Sequence, residues 1–260
     1  MSLASRAVYP SQSAPLRQHL ESLLREAQPP DLDGGTLIGL IVPDSNRLSG
    51  GPAAAEAYAL LRDVELDTAI VVSPSHSGEF GRLSVCKVDT YQTPLGDIDI
   101  NDHLRNELCD EDDDIFLDDT GHYHTEGADV QLPFLQSILG EDFNTVPIVM
   151  GEESPVFCRE LGRAVGEVLY GKRAIMVGTA DVIEGEEAPL ERLRAAIESF
   201  NVSELFHLMG SEAVTMEGMG AIATEMLASQ ERGATHARVL ALAGPEDGSP
   251  GPIACAFWRA

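Results

Sequence analysis

Three apolar stretches of the chain each lead into a residue that can bind a metal ion or transfer a proton. These stretches and the polar residues that follow them are Leu37–Val42 with Asp44, Ala69–Ser73 with His76, and Ala174–Thr179 with Asp181. Short runs of branched apolar residues are typical of buried strands. In an open α/β sheet, ligands bind outside the carboxyl ends of the strands. We therefore predict a metal-binding or catalytic site at the edge where these strands end.

His76 is the strongest single candidate, as a metal ligand or as a general base, because Pro-Ser-His follows a strand pattern directly. A histidine at this position can equally cap a loop through hydrogen bonds, and Asp44 can equally be a turn residue. Glu184 follows Asp181 by three residues, which places both carboxylates on one side if a helical turn begins there. An acidic helix start is the structural alternative for that pair.

A second polar group, consisting of His122, His124 and Glu126, lies in the segment GHYHTEG. Alternate residues of a strand point the same way, so His-x-His is a candidate metal-binding pair. A polar loop ahead of a helix is the alternative interpretation. Glu217 precedes a glycine at a predicted helix start, where an acidic residue is also expected for structural reasons.

The elements that would position these residues alternate between strands and helices. Beyond the three strands above, the patterns predict strands at Leu83–Val88, Ile115–Leu117, Thr145–Met150, Arg238–Leu242 and Ile253–Phe257. They predict helices at Arg17–Ala27, from Pro52, and at Asp102–Leu108, Val130–Leu139, Pro155–Tyr170, Leu190–Phe200, Ser203–Met209 and Met219–Ser229. We predict one α/β domain over residues 1–260, with a mostly parallel or mixed sheet covered by helices on both faces.

The charge of the chain limits its partners. The chain has 43 acidic and 17 basic residues, a formal net charge of −26. This charge repels nucleic acid and anionic membrane surfaces. An acidic surface with only two lysines, Lys87 and Lys172, suits a high-salt cytoplasm, where salt screens the self-repulsion. We therefore hypothesise a halophilic source.

Cysteine spacing and hydropathy narrow the class of protein further. The four cysteines are widely spaced and form no CxxC pair, which argues against a zinc ribbon or a disulfide framework. No apolar run approaches the roughly 18 residues that a membrane span needs. The first residues also lack the apolar core of a signal peptide. We expect a soluble cytoplasmic protein.

Four segments resemble, in chain order, motifs of the Memo-like proteins, a family also named AmmeMemoRadiSam system protein B. IVPDSNRLSGGPAAAEAYALL resembles the family's IVPHAGYxYSGPxAAxAYxLL, and VVSPSHSGEFG resembles its xLGPSHHxxxxG. YQTPLGDIDIN is similar to ETPLGxVxVD, and ADVQLPFLQ is similar to EVQLPFLQ. The resemblance implies a fold like that of the catalytic subunit of class III extradiol dioxygenases, which use non-haem iron to open catechol rings.

The resemblance also implies where a metal would bind. The family's polar pocket positions fall on Asp44, His76, Glu126, Asp181, Glu184 and Glu217. His76 and Asp181 keep the family's residue type, whereas the other positions carry acids in place of histidine or cysteine. Iron is implied by resemblance, but carboxylates favour Mg²⁺, Mn²⁺ or Ca²⁺. We therefore predict Asp44, His76, Asp181, Glu184 and Glu217 as metal ligands, His76 as the catalytic residue, and Glu126, His124 and His122 around them.

Two classes of function follow from these observations. The first is a metal-dependent enzyme acting on a small molecule, dioxygenase-like by resemblance or hydrolase-like by its carboxylates. The second is a non-catalytic binding or adaptor protein, since an animal Memo protein is known as an adaptor for phosphorylated receptor peptides. That role would need a local basic pocket, for which Arg47, Arg82 and Arg105 are candidates. The family name further implies an accessory role beside radical-SAM and AMMECR-type proteins.

Overall fold

A computed structural model of the chain describes residues 3–4, 10, 12–45, 50–111, 114–122, 127–140, 142–211 and 213–260. The helices are α1 (Ser13–Glu26), α2 (Gly50–Tyr58), α3 (Asp102–Glu111), α4 (Gly127–Leu139), α5 (Pro155–Leu169), α6 (Glu187–Glu198), α7 (Val202–Met209) and α8 (Met219–Glu231), with a 3-10 turn at Ala59–Leu61. The strands are β1 (Leu3–Ala4), β2 (Thr36–Pro43), β3 (Thr68–Pro74), β4 (Leu83–Val85), β5 (Thr90–Thr93), β6 (Gly96–Asp99), β7 (Ile115–Leu117), β8 (Asn144–Met150), β9 (Ala174–Gly185), β10 (Val214–Glu217), β11 (His236–Leu242) and β12 (Gly251–Arg259).

The main sheet has the strand order β11-β12-β2-β9-β3-β8-β4-β7. Its centre, β2-β9-β3-β8, is parallel. Antiparallel pairing then adds β12 beside β2 and β4 beside β8. β9 is the longest strand, and its last residues pair with β10. β1, β5 and β6 form a separate small sheet. The predicted fold class, an α/β domain with a mixed sheet, is confirmed.

Helices cover both faces of the central strands, as the patterns predicted. Ile70 and Val72 of β3 pack into a core formed with α3 and α5–α8. Ala69 and Val71 point the other way, into a core formed with α1, α2 and α4. Successive side chains of a strand face opposite sides. Because both sides are buried, the parallel strands read as continuous apolar runs rather than as alternating ones.

Two parts of the observed fold differ from the sequence-based expectation. β9 continues through Asp181 to Gly185, so the helical turn considered at that position is wrong. The extension is stabilised by pairing with β10, a four-residue strand whose sequence VTME carries too little apolar signal to predict. The sequence patterns also failed to predict the two strands of the β5–β6 hairpin.

No disulfide joins any of the four cysteines, all of which lie within the described residues. Three of them, Cys86, Cys158 and Cys255, are buried among apolar side chains. Among the described residues, no helix has both the length and the apolar character needed to cross a membrane.

Candidate functional site

Asp44 lies immediately after β2 and is almost fully buried, with 1% of its surface exposed. Its backbone N–H donates to the carbonyl of Ala180 at 3.2 Å, which continues the β2–β9 ladder by one residue. The Thr179 hydroxyl donates to Oδ1 of the carboxylate. A buried carboxylate needs such donors to offset its lost hydration. Asp44 is therefore held rigidly, with its second oxygen directed elsewhere.

That second oxygen meets His76. Nε2 of His76 lies 2.6 Å from Oδ2 of Asp44. His76 follows β3 by two residues, and 18% of its side chain is exposed, whereas Asp44 is closed off. The imidazole thus forms the boundary between a buried carboxylate and solvent. This position suits a metal ligand or a proton acceptor.

Two further carboxylates reach the same place from β9 and β10. Glu217 pairs with Asp181 across the two strands, so their side chains lie on one face. Oδ2 of Asp181 accepts the backbone N–H of Ser45 at 2.8 Å. Ligand atoms of Asp44, His76 and Glu217 all lie within 4.8 Å of one another, close enough to hold one metal ion. We call these three residues the Asp44–His76–Glu217 cluster.

The electrostatics of this cluster show a shortage of positive charge. The pKa of Asp181 is raised to about 7, mainly by burial and also by the nearby Asp44 and Glu217 carboxylates, against a lowering by hydrogen bonds from Ser45. Carboxylates that crowd together must share protons or bind a cation. A divalent cation would supply the missing charge.

Glu153 is a functional candidate that the sequence reasoning missed. Burial raises its pKa, and the charges of Asp44 and Glu217 act in the same direction. Its carboxylate accepts the backbone N–H groups of Gly218 and Gly220. It follows the end of β8 by three residues. The strand-end rule that singled out the other residues could therefore have found it.

The remaining predicted site residues lie farther out. The bulge in the β9–β10 pairing places Glu184 opposite Thr215, on the same face as Asp181 but two pairs along, where it is exposed. His122 is buried and donates from Nε2 to the carbonyl of Ser84 at 3.0 Å, outside the cluster. Burial lowers its pKa to about 4. His124 and Glu126 lie outside the described residues.

Helix α4 also supports the cluster. Nε2 of Gln131 donates to the carbonyl of Pro43 at 2.9 Å, and the Tyr58 hydroxyl donates to Oε1 of Gln131 at 2.9 Å. A Cβ on Gly127, the first residue of α4, would lie 2.3 Å from Cβ of Ser73. Only glycine therefore allows α4 to approach β3 so closely.

The arginines considered for a basic pocket are engaged elsewhere. Arg82 pairs with Asp118 at 2.5 Å. Arg105 donates to the carbonyl of Val88 at 2.7 Å and pairs with Asp102. Arg47 lies outside the described residues. Within the described part of the chain, these cations are already matched by local acceptors, which gives no support to a phosphate-binding pocket.

A cleft of about 460 Å³ opens at the same edge of the sheet. The residues that line it come from the segments after β3 and β8 and from the end of α7, and they are Glu79, Glu152, Glu153, Ser154, Pro155, Phe206, Met209 and Gly210. Glu153 belongs both to the cleft and to the surroundings of the cluster. The cleft therefore offers room for a small organic molecule beside the cluster.

The family model and the relatives that match this chain belong to the same family. A family model described as Memo-like protein matches residues 2–248. The MEMO1 family protein of Methanosarcina acetivorans is 31% identical over 218 residues, covering 81% of this chain and 80% of that protein. Its counterpart in Nitrosopumilus maritimus is 26% identical over 209 residues, covering 78% of this chain and 76% of that protein.

The fold also has a match among solved structures. An uncharacterised protein from Escherichia coli K12 superposes with a TM-score of 0.55 and 16% identity, covering 85% of this chain and 99% of that one. This likeness supports the fold, and the family match supports the ancestry. Because the family model and the Methanosarcina acetivorans relative both span most of the sequence, the chain belongs to the Memo-like protein family.

Proposed function

We propose that this Memo-like protein is a metal-dependent enzyme whose divalent cation is held by Asp44, His76 and Glu217, with Asp181 beside them. The observation that carries the proposal is the convergence of three ligand atoms within 4.8 Å at the carboxyl edge of a parallel sheet. Ligand sites are expected at this edge in α/β folds. The pKa of Asp181 is raised mainly by burial and in part by the charges of Asp44 and Glu217. This shift supports the proposal because a cation would offset the repulsion among the three carboxylates.

The donor set favours a hard ion. Two carboxylates and one imidazole form the cluster, and a third carboxylate, that of Asp181, lies next to it. Carboxylate oxygen suits Mg²⁺, Mn²⁺ and Ca²⁺, whereas sites for iron, copper or zinc usually contain more histidine or cysteine. The fold is consistent with a dioxygenase-like ancestry, but these side chains support Mn²⁺ or Mg²⁺ better than iron.

The reaction class that fits such a site is hydrolysis or related Lewis-acid chemistry. When bound, the cation would polarise an oxygen of the substrate. The chain's own contribution is orientation and proton transfer. Asp44 fixes the ring of His76 through the 2.6 Å contact. As a ligand His76 would be neutral, whereas as a proton acceptor its protonated form would be stabilised by Asp44. Asp181, with 1% of its surface exposed, is too enclosed to reach a substrate directly.

The cleft beside the cluster supports a small-molecule substrate. Phe206, Met209 and Pro155 offer apolar contacts, and Glu79 and Glu152 place negative charge at its wall. An anionic substrate would be repelled by these carboxylates, whereas a neutral or cationic one would not. We therefore propose a neutral or cationic molecule with an apolar portion and an oxygen-bearing group directed at the cation.

Elemental analysis of protein purified without chelator tests the proposal. We expect close to stoichiometric divalent metal, or uptake of added Mn²⁺ to that level. Asp44→Asn should lose it, while Glu184→Gln, which removes an exposed carboxylate outside the cluster, should retain it. His76→Ala separates two roles: lost metal identifies a ligand, and retained metal identifies a proton acceptor. Trace metal that added Mn²⁺ does not raise would support the non-catalytic binding alternative instead.

A further inference from the structure

Glu153 connects two parts of the chain that are distant in sequence. Its Oε1 accepts the N–H of Gly218 at 3.2 Å, and its Oε2 accepts the N–H of Gly220. These glycines lie 65 and 67 residues beyond Glu153 along the chain. Gly218 directly follows Glu217, the last residue of β10, and Gly220 is in the first turn of α8. Glu153 thus joins the end of β8 to the junction between β10 and α8.

The junction that Glu153 holds has little conformational freedom of its own. Gly218 has φ of +81°, a left-handed conformation, and a Cβ there would lie 2.0 Å from the Thr179 carbonyl oxygen. The first N–H groups of a helix have no partner within the helix. Glu153 supplies that partner as well as a negative charge at the positive end of the helix dipole. The direction in which the chain leaves Glu217 is therefore fixed from outside.

The Glu153 carboxylate lies where a negative charge is unfavourable. Burial raises the pKa of Glu153, and the charges of Asp44 and Glu217 add to the effect. A capping Ser or Asn at Gly218 would satisfy the helix N–H groups without placing another charge beside two carboxylates. Gly218 cannot carry a side chain, because Thr179 and Ala180 occupy the space. The N–H groups of Gly218 and Gly220 therefore need an acceptor from another part of the chain, and Glu153 provides it.

We infer that Glu153 is a positioning residue for the cation site, which holds Glu217 within reach of Asp44 and His76 by bonding the two N–H groups that follow it. The inference rests on the proposed function, since it assumes that Glu217 is a ligand. Residues that orient metal ligands typically change metal affinity by about 10- to 100-fold when they are replaced. We expect a loss of that size for Glu153→Gln.

The test is a double-mutant cycle in Mn²⁺ affinity, measured by titration calorimetry with the full chain. Glu153→Gln should weaken Mn²⁺ binding, and Glu152→Gln, its exposed neighbour on the same cleft, should not. If Glu153 acts through Glu217, then Glu153→Gln should cost little further affinity once Glu217→Gln is present. Additive losses would overturn the inference, because they would mean that Glu153 affects the cation independently of Glu217.

Two additional measurements distinguish a positioning role of Glu153 from an effect of its charge on Mn²⁺ affinity and from an effect on folding. A Cβ on Gly220 would lie 2.7 Å from Cβ of Glu153. Gly220→Ala therefore displaces Glu153 but retains its charge, and it should weaken Mn²⁺ binding as Glu153→Gln does. In metal-free protein, Glu153→Gln should speed hydrogen exchange at the Gly218 and Gly220 amides.

The outcomes distinguish this inference from the proposed function. If wild-type protein binds no Mn²⁺, the proposed function fails, and amide exchange still reports whether Glu153 holds the junction. If wild type binds Mn²⁺ and both Glu153→Gln and Gly220→Ala bind it equally well, the positioning role alone is wrong. If the Glu153→Gln protein does not fold, Mn²⁺ binding by Gly220→Ala decides alone. Binding as tight as that of wild type would then show that the positioning role is wrong.

Discussion

Nε2 of His76 lies 2.6 Å from Oδ2 of Asp44, although the two residues follow strands that are not neighbours in the sheet. β9 lies between β2 and β3, and it contributes Asp181 at the same edge. After β2 the chain forms α2 and then β3, which is not placed next to β2 in the sheet. The position between these two strands is filled by β9, which comes much later in the sequence. Such a change in strand order opens a crevice at the carboxyl edge. The cluster occupies that crevice.

Asp181 should make the metal-free protein less stable as pH rises. The unfolded aspartate releases its proton near its ordinary pKa of 3.8, whereas the folded one retains it up to a pKa of about 7. Between these values the folded state binds more protons, so the free energy of unfolding falls with increasing pH. The slope from one group is at most about 1.4 kcal/mol per pH unit.

The substitution Asp181→Asn removes the loss of stability that ionisation of Asp181 causes in the folded protein. In chelator, we expect Asp181→Asn to gain stability over wild type at pH 8 and to gain little at pH 4, as measured by urea unfolding. Glu184→Gln is the control, because it removes an exposed carboxylate from the same strand. The same relative stability of Asp181→Asn at both pH values would contradict the assignment. Comparison with wild type cancels other groups such as His122, whose lowered pKa acts in the opposite direction.

Gly218→Ala should damage both the fold and the cation site. Its φ of +81° disfavours any side chain, and the added Cβ would lie 2.0 Å from the Thr179 carbonyl oxygen. Gly171→Ala is a matched control, with φ of +71° and nothing within 4 Å of the Cβ. We expect Gly171→Ala to cost only the left-handed strain, roughly 1–2 kcal/mol. Gly218→Ala should cost more in thermal unfolding and should weaken Mn²⁺ binding; equal costs would refute the close contact.

Gln131→Leu should weaken Mn²⁺ binding although Gln131 is not a proposed ligand. The substitution removes the donor to the Pro43 carbonyl, next to Asp44, and the acceptor of the Tyr58 hydroxyl. Each buried group that loses its partner costs about 1–3 kcal/mol. Tyr58→Phe retains the Gln131–Pro43 bond, so it should lower stability with little effect on Mn²⁺ affinity. If Tyr58→Phe impairs binding as much as Gln131→Leu does, Gln131 does not position Asp44.

Salt should raise the melting temperature. The formal net charge of −26 produces self-repulsion in the folded state. Screening shortens the range of that repulsion from about 10 Å at 0.1 M to about 3 Å at 1 M salt. We expect a steady rise in melting temperature between low and molar KCl in chelator. A flat response would argue against the halophilic interpretation.

Sequence reasoning pointed to the candidate site because the ends of buried strands can be predicted from sequence. Apolar runs predicted β2, β3 and β9, and the rule on carboxyl ends directed attention to Asp44, His76 and Asp181. The structure brings the residues together as that rule requires. Their order across the sheet was not readable, because nothing local in β9 specifies that it inserts between β2 and β3.

Glu217, Glu184 and Glu153 show where local patterns were insufficient. Glu217 ends a short strand whose pairing with β9 depends on the whole sheet. The bulge that returns Glu184 to the face of Asp181 depends on one unpaired residue in β9, which the sequence does not mark. The strand-end rule could have found Glu153, but its bonds to amides 65 and 67 residues away are long-range contacts that no spacing predicts.

Anomalous diffraction from crystals grown with Mn²⁺ tests the central claim most directly. The account predicts one strong anomalous peak within coordination distance of Asp44, His76 and Glu217, at the carboxyl edge between β2 and β3. Crystals of Asp44→Asn grown in the same way should lack that peak. Full occupancy of another site by Mn²⁺, or a cluster without any anomalous signal at saturating Mn²⁺, would contradict the account.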